Sequence, residues 1–361
     1  MRPWRHVSHS EPCRICSRPD WCTRSVDGAW TICRRVDNGT GLHRVDKSGG
    51  EFWLYRAVTQ SSSLRSTPKL PSQPQSERAE PGVLDQAYRA LMAALPLSST
   101  HRLALRQRGL PDVEVLRRGY RTLPLQGRAA LARGLVDRFG ADVCARVPGL
   151  YVEAQGTRRW WTLAGAAGLL IPVRDIDGRI VALKVRADHL GEGPKYTYLS
   201  STKHQGPSPG AQVHVPLHDG QTGDPLRLTE GELKADVATA LSGLRTVSIP
   251  GVSAWRHAIP VLQALQPARV LLSFDADWRT NPHVAHALGQ AAFALVKAGH
   301  VVLVEHWEPT RGKGIDDVLA TGHTPVLQSV ACAFGASLRG RARVWTGTLA
   351  TIPAEEVPAW H

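Results

Sequence analysis

The residues best suited to chemistry lie between Leu226 and Leu319. The short apolar run Val270-Leu271-Leu272 leads through Ser273-Phe274 into two acids one residue apart, Asp275 and Asp277. Such a run reads as a buried parallel strand presenting its acids at its carboxyl end, where open α/β sheets place their ligands. A second strand, Leu226-Arg227-Leu228-Thr229, ends in Glu230-Gly231 and precedes a helix from about Glu232 to Leu241. Glu230 is therefore expected at the same sheet edge as Asp275 and Asp277. Three converging carboxylates repel one another unless a cation sits among them, and oxygen ligands of this kind suit Mg²⁺ or Mn²⁺. The bland alternative is a solvated acidic loop. Gly312-Lys313-Gly314-Ile315-Asp316-Asp317, after the next strand, weighs against it.

A second set is made of thiols. Cys13-Arg14-Ile15-Cys16 has metal-knuckle spacing, and Cys22 and Cys33 flank the hairpin turn Asp27-Gly28. With those two turn residues, Val26 pairs with Ala29 and, counting outward, Cys22 with Cys33. Directly opposed Cβ atoms lie about 5 Å apart, so both thiolates can reach one Zn²⁺ that Cys13 and Cys16 complete. Trp30 and Ile32 then occupy the other face. Reduced core cysteines, or His9 or His43 in place of one cysteine, remain open. Four ligands leave no vacant position, so such a zinc is structural. Arg14, Arg18, Arg24, Arg34 and Arg35 interleave with Trp21 and Trp30, a mixture fit for phosphate contact and base stacking or for a solvated basic face.

These groups require an α/β framework. Strands near 226–229, 246–249, 269–274 and 301–305 alternate with helices near 232–241, 256–265 and 283–298, which predicts a parallel, Rossmann-like sheet with right-handed crossovers. Gly251 suits a tight turn beside the site. Lys234, one helical turn beyond Glu230, is either a phosphate-neutralising group or a surface lysine. Trp278-Arg279-Thr280-Asn281-Pro282 is expected to extend a loop over the site. Upstream, Leu84, Ala87, Tyr88, Leu91, Met92 and Leu95 recur at three and four, and Leu170–Asp175 and Arg179–Arg186 flank a second hairpin signal, Asp177-Gly178. In the second of those strands Ile180, Ala182, Lys184 and Arg186 are expected to share a face. Cys144 reads as a buried thiol. The division is a zinc-ribbon-like unit at 1–58, a flexible Ser/Pro/Gln linker at 59–80 that leaves the zinc unit mobile, a basic α+β unit at 81–224, the α/β unit at 225–325, and a helix and tail at 326–361.

Composition narrows the function. The 361 residues carry a formal net charge of +13, and the pI is about 9.9. Most of the basic residues are Arg, which grips phosphate bidentately. A basic protein with an acidic metal site suits work on nucleic acid, against the alternative of a generally basic or ribosome-associated protein. No apolar run follows Met1–His6 and none reaches membrane-spanning length, so a cytoplasmic protein without signal peptide or membrane contact is expected. The clustered cysteines fit metal binding in a reducing compartment. No Gly-x-x-x-x-Gly-Lys-Ser/Thr phosphate loop is present in these residues, so a fused helicase motor is not expected.

Glu230-Gly231, Phe274-Asp275-Ala276-Asp277 and Gly312-Lys313-Gly314-Ile315-Asp316-Asp317-Val318-Leu319 resemble the three signatures of the Toprim domain shared by bacterial-type primases, topoisomerases and some nucleases. The resemblance covers about 95 residues in motif order. Pro172-Val173-Arg174-Asp175-Ile176-Asp177-Gly178-Arg179, the basic strand after it and Pro194-Lys195-Tyr196 resemble the basic half of the primase core, and the cysteine unit its zinc ribbon. The resemblance implies that Arg174, Lys184, Arg186 and Lys195, with Lys313, contact template or nucleotide. It also implies that Glu230, Asp275 and Asp277 are metal ligands, that Asp316 and Asp317 support a second ion, and that Lys234 assists catalysis. Four features depart from the family. Ala182-Leu183-Lys184-Val185-Arg186 replaces the usual glycine-rich end of the basic strand, and Trp278-Arg279-Thr280-Asn281-Pro282 replaces the usual Ala-Gly helix start. Gly314 stands where an aspartate is usual, and the cysteine spacing differs from the usual Cys-x-x-His then Cys-x-x-Cys.

The expected function is primer synthesis on single-stranded DNA from nucleoside triphosphates by two-metal nucleotidyl transfer. The setting expected is replication of a phage, plasmid or other mobile element, with a separate replicative helicase as partner. The alternatives are a non-catalytic nucleic-acid-binding Toprim protein and a Toprim nuclease or topoisomerase-like enzyme, for which no nucleophilic tyrosine on a further domain is evident.

Overall fold

The computed structural model describes residues 4–8, 10–35, 41–45, 51–56, 77–189, 194–219 and 224–334. The expected linker, apart from 77–80, lies outside them, as do His9 and the tail beyond 334.

Five short strands form the amino-terminal unit: β1 (Trp4–His6), β2 (Thr23–Ser25), β3 (Trp30–Cys33), β4 (Leu42–Val45) and β5 (Glu51–Arg56), in the order β1-β2-β3-β5-β4. β2 and β3 pair Thr23 with Ile32 and Arg24 with Thr31, the register that the Asp27-Gly28 turn dictates. Cys13, Cys22 and Cys33 are buried with Val7 and Tyr55, so the thiols form most of this unit's small core.

The middle unit comprises α1 (Pro81–Ala93), α2 (Ser99–Gln107), α3 (Asp112–Arg118), β6 (Arg121–Leu123), α4 (Arg128–Phe139), α5 (Ala141–Cys144), β7 (Leu150–Gln155), β8 (Arg158–Leu163), β9 (Gly168–Arg174), β10 (Ile180–Ala187) and β11 (Tyr196–Tyr198). The apolar stripe of α1 buries Leu84, Ala87, Tyr88 and Leu91 against Leu170, Leu183 and Val185 of the β9–β10 hairpin. Each such side chain removed from water contributes about 1.5–3 kcal/mol. Pro111 precedes α3 and left-handed Gly119 ends it. Cys144 is buried, and burial pushes its thiol up to about 11. β7 and β8 form a separate two-stranded ribbon in a stretch where periodicity is silent.

One expectation fails in β10. A register shift between Ile180 and Ala182 moves Ile180 into the cluster of Leu183 and Val185, away from Lys184 and Arg186. A bulge adds one residue and inverts the alternation before it. The strand is also buried on both sides from Ile180 to Val185, not basic and exposed on one.

The last unit comprises β12 (Leu226–Glu230), α6 (Glu232–Ser242), β13 (Thr246–Ile249), α7 (Ala258–Leu265), β14 (Arg269–Leu272), α8 (Pro282–Lys297), β15 (Val301–His306), α9 (Ile315–Ala320), β16 (Val326–Ser329) and α10 (Val330–Phe334). The sheet order is β13-β12-β14-β15-β16. The first four strands are parallel, as expected. β16 is antiparallel to β15, so the sheet is mixed rather than wholly parallel, and it continues past 325 into residues assigned above to a tail. The apolar strands bury Leu228, Val270, Leu272 and Val304 with Leu262 of α7 and Leu288 and Leu295 of α8. Gly251 has φ 172°, an extended geometry open to any residue, which corrects the tight-turn expectation. Trp278 is buried and its ring meets Phe334, so the segment after Asp277 packs into the core rather than forming a loop over the site.

Candidate functional site

Glu230 is the last residue of β12, and Gly231 follows with φ 87°. That left-handed turn, which a side chain resists, sends the chain at once into α6. Lys234 then stands one turn above Glu230, its Nζ 3.9 Å from the Glu230 carboxylate. β14 ends beside β12, and Thr229 Oγ1 donates to the Ser273 carbonyl at 2.7 Å, fixing the chain just before Asp275. The backbone N–H of Ala276 donates to the Lys313 carbonyl at 2.9 Å, tying this loop to the one before α9. Three chain segments thus meet at the carboxyl edge of the sheet.

Asp275 is buried and forms an ion pair with Lys234, while Lys313 Nζ lies 3.5 Å from its other oxygen. Burial, reinforced by the neighbouring Asp275 carboxylate and opposed by Lys234, pushes the Glu230 carboxyl up to about 7. Burial disfavours the Lys234 charge, but Glu230, Asp275 and Asp316 more than offset it and hold its pKa above the ordinary lysine range.

Asp277 Oδ1 is buried without a hydrogen-bond partner among the described residues, and Oδ2 takes only a 3.5 Å contact from Asn281. Asp316 is buried at the start of α9. Its Oδ2 accepts from Arg108 at 2.7 Å, while Oδ1 is buried and unpartnered. Burial raises its pKa although Arg108 opposes the rise. Asp317 is spent locally, accepting the backbone N–H groups of Lys313 and Gly314 at 3.2 and 3.1 Å.

Glu230, Asp275 and Asp316 thus gather around Lys234. Glu230, Asp275 and Asp277 do not close to the mutual spacing, within 4.8 Å, that the four-cysteine set reaches among the described residues. The donor chemistry nonetheless fits a hard divalent cation. Two buried carboxylate oxygens lack partners, and an orphaned buried acceptor carries a desolvation cost that a cation or its bound water relieves.

Cations border the acids. Partial desolvation of the otherwise exposed Lys195 lowers its pKa, and the positive charges of Arg186, Arg108 and Lys313 lower it further. Like charges gathered beside an acidic pocket form a landing surface for phosphate. Arg108 escaped the sequence reading because an Arg at a helix end before Gly109 is what helix-dipole complementarity alone supplies. Only its 2.7 Å bond to Asp316, across 208 residues, reveals its place.

Two expected phosphate contacts are corrected. Arg174 is buried, donating to the Gly178 and Arg118 carbonyls at 3.0 and 3.1 Å. Lys184 is buried, donating to both oxygens of Glu232 at 2.8 and 2.7 Å, with its ammonium 4.8 Å from the Tyr198 ring centre. Neither cation has a face left for a polyanion. One turn further along α6, Asp236 bonds Arg118, Tyr120 and His214. Glu232 and Asp236 therefore bolt the middle unit to the sheet that carries the acids.

At the amino-terminal unit the ligand atoms of Cys13, Cys16, Cys22 and Cys33 all lie within 4.8 Å of one another. Sγ of Cys22 is 3.7 Å from that of Cys16 and 4.0 Å from that of Cys33. A tetrahedral ion with sulfur ligands at about 2.3 Å requires sulfurs about 3.8 Å apart, so the set fits zinc. His43 is instead tilted against the Trp53 ring, 5.6 Å between centres. The Trp21 ring meets His283 of α8 edge-on at 4.9 Å and carries Arg35 5.2 Å above it. This ring contact joins the cysteine unit to α8.

Residues 220–324 match the family model described as a domain of unknown function, DUF3854. No curated protein sequence matches the chain. Among solved structures, the fold is similar to the zinc-binding and RNA polymerase domains of the Aquifex aeolicus primase, at 14% identity and a TM-score of 0.51 over 69% of this chain and 63% of that one. It is also similar to a DNA primase domain from Pseudomonas aeruginosa, at 18% identity and a TM-score of 0.53 over 72% of this chain and 84% of that one. A DnaG primase catalytic domain bound to single-stranded DNA matches at 16% identity and a TM-score of 0.51, over 72% of this chain and 86% of that one. The chain has the fold of a bacterial primase catalytic core, with a four-cysteine cluster placed as in a zinc ribbon, and it spans less than two thirds of the Aquifex structure. No helix among the described residues is long and apolar enough to cross a membrane.

Proposed function

We propose that this chain, folded as bacterial primase cores are, is a Toprim-type primase-like nucleotidyltransferase that joins nucleoside triphosphates on a single-stranded DNA template. The observation that carries the reading is the meeting of Glu230, Asp275 and Asp316 at one sheet edge with Arg108, Lys195 and Lys313 beside them. Glu230, Asp275 and Asp277 would hold Mg²⁺ or Mn²⁺, and Asp316 would support a second ion. A divalent ion there supplies activation of a 3′-hydroxyl and charge stabilisation at the α-phosphate. Lys313, Lys195, Arg186 and Arg108 receive the triphosphate and align it, and the entropy lost in that alignment is lost before the reaction. Cys13, Cys16, Cys22 and Cys33 would hold structural Zn²⁺, and Arg14 and Arg18, exposed on that unit, would meet the template. A replicative helicase supplied as a separate protein and a mobile-element setting complete the proposal.

Primer synthesis on single-stranded DNA with Mg²⁺ or Mn²⁺, wild type beside Asp275→Ala, tests it. The wild type is expected to form dinucleotides, and the variant to lose at least about a hundredfold in rate. Equal DNA binding by both proteins with no dinucleotide from either would leave a nucleic-acid-binding protein without catalysis.

A further inference from the structure

We infer that Lys234 is a built-in counter-ion for the acidic pocket, so that a divalent ion is taken up together with a nucleoside triphosphate rather than from free solution. The inference rests on the metal-binding reading of this edge and goes beyond it.

The first observation is where the ammonium sits. Lys234 forms an ion pair with Asp275 and lies 3.9 Å from Glu230. Its stem also passes beside Asp316: a Cβ built on Gly314 would lie 2.5 Å from Asp316 Oδ1 and 2.8 Å from Lys234 Cδ. The lysine thus fills the space that a side chain at 314 would need.

The second observation is the charge balance. Glu230 and Asp275 face Lys234 and Lys313, and Asp316 faces Arg108. Asp317 is committed to the backbone N–H groups of its own turn. Asp277 Oδ1 and Asp316 Oδ1 stay unpartnered, but a free divalent ion can reach Asp275 only by displacing an ammonium already paired with it. A triphosphate changes that. Lys313 is three-quarters exposed on a flexible stem and stands among Lys195, Arg186 and Arg108. Phosphate oxygens draw Lys313, and then Lys234, off Asp275, and the released carboxylate is free to take the ion that the triphosphate brings. No bond is made or broken in this exchange, in which two ammonium groups trade one set of oxygens for another.

The test is Mn²⁺ binding by the zinc-loaded full chain, read from the electron paramagnetic resonance signal of free Mn²⁺, with and without a non-hydrolysable nucleoside triphosphate analogue. Wild type is expected to bind Mn²⁺ more than about tenfold more tightly with the analogue than the analogue alone accounts for. Lys234→Met, which keeps the stem and removes the charge, is expected to raise affinity without the analogue by more than about tenfold. Lys234→Arg, which keeps the charge, is expected to behave as wild type and shows that the pocket survives substitution. Wild-type binding that is equally tight with and without the analogue would overturn the inference, as would unchanged affinity in Lys234→Met. Either result, together with Mn²⁺ binding lost in Asp275→Ala, leaves the metal-site reading standing. Binding that no substitution affects overturns both.

Discussion

At the scale of single residues, the decisive question is which charged groups are already committed. The cationic side chains of the basic hairpin look alike in sequence, yet Lys184 and Arg174 are consumed inside the protein while Lys195 stands exposed among like charges. Lys195→Ala should therefore weaken single-stranded DNA or nucleotide binding without unfolding the protein. If it meets a DNA phosphate, the slope of log affinity against log salt should flatten by about 0.7, which a fluorescence-anisotropy titration across salt concentrations measures. The cysteines give the second residue-level expectation. Cys22 lies centrally among the four thiols, within 3.7 Å of Cys16 and 4.0 Å of Cys33, and zinc takes cysteine as the thiolate. Cys22→Ser should lower the zinc content to well under one ion per chain by metal analysis. Unchanged zinc would refute the four-thiolate site.

At the scale of elements, α6 does two jobs. Its first turn brings Lys234 over the sheet edge, and its Glu232 and Asp236 hold the middle unit through Lys184 and Arg118. Gly231 makes the sharp entry possible. An added Cβ there has nothing within 4 Å, so the cost of Gly231→Ala is purely conformational. It should lower stability by about 1–2 kcal/mol, seen as a lower urea midpoint, and should shift Lys234 relative to Glu230.

Asp236 gives a pH dependence. Burial opposes its charge, but Arg118 and His214 overcome that and hold its pKa well below the ordinary 3.8. A carboxyl depressed in the folded state binds fewer protons there than when unfolded. Its contribution is therefore full above about pH 4 and is lost as pH falls through the depressed value. Asp236→Asn should cost about 3 kcal/mol near neutrality, because it leaves the buried Arg118 with Glu114 as its one carboxylate partner among the described residues. The gap from wild type in urea unfolding should narrow below pH 4. A gap constant across pH would show that the ion pair contributes nothing.

At the scale of the whole molecule, the parts are arranged by charge. The chain carries a net charge of +13, and Lys195, Arg186, Arg108 and Lys313 stand together beside the pocket of acids. Buried ion pairs lock the two larger units that form that pocket, whereas the cysteine unit is held by aromatic packing of Trp21 on His283, itself anchored by Ser253 at 2.9 Å.

Much of this was legible along the chain. Apolar runs ending in acids marked β12 and β14, apolar period marked α1 and α8, and a two-residue turn set which cysteines face each other. These are local properties, carried by residues within a few positions of one another. Other features were not legible. The bulge in β10 inverted one face, β16 joined the sheet from a stretch with no strand period, and Trp278 turned inward. Above all, the interior partners of Lys184, Arg174 and Lys234, and the reach of Arg108 to Asp316, join residues 41 to 208 positions apart or opposite sides of a turn. The type of a charged residue states that it needs a partner. Only the tertiary structure decides whether protein supplies that partner or leaves it to an ion or a phosphate.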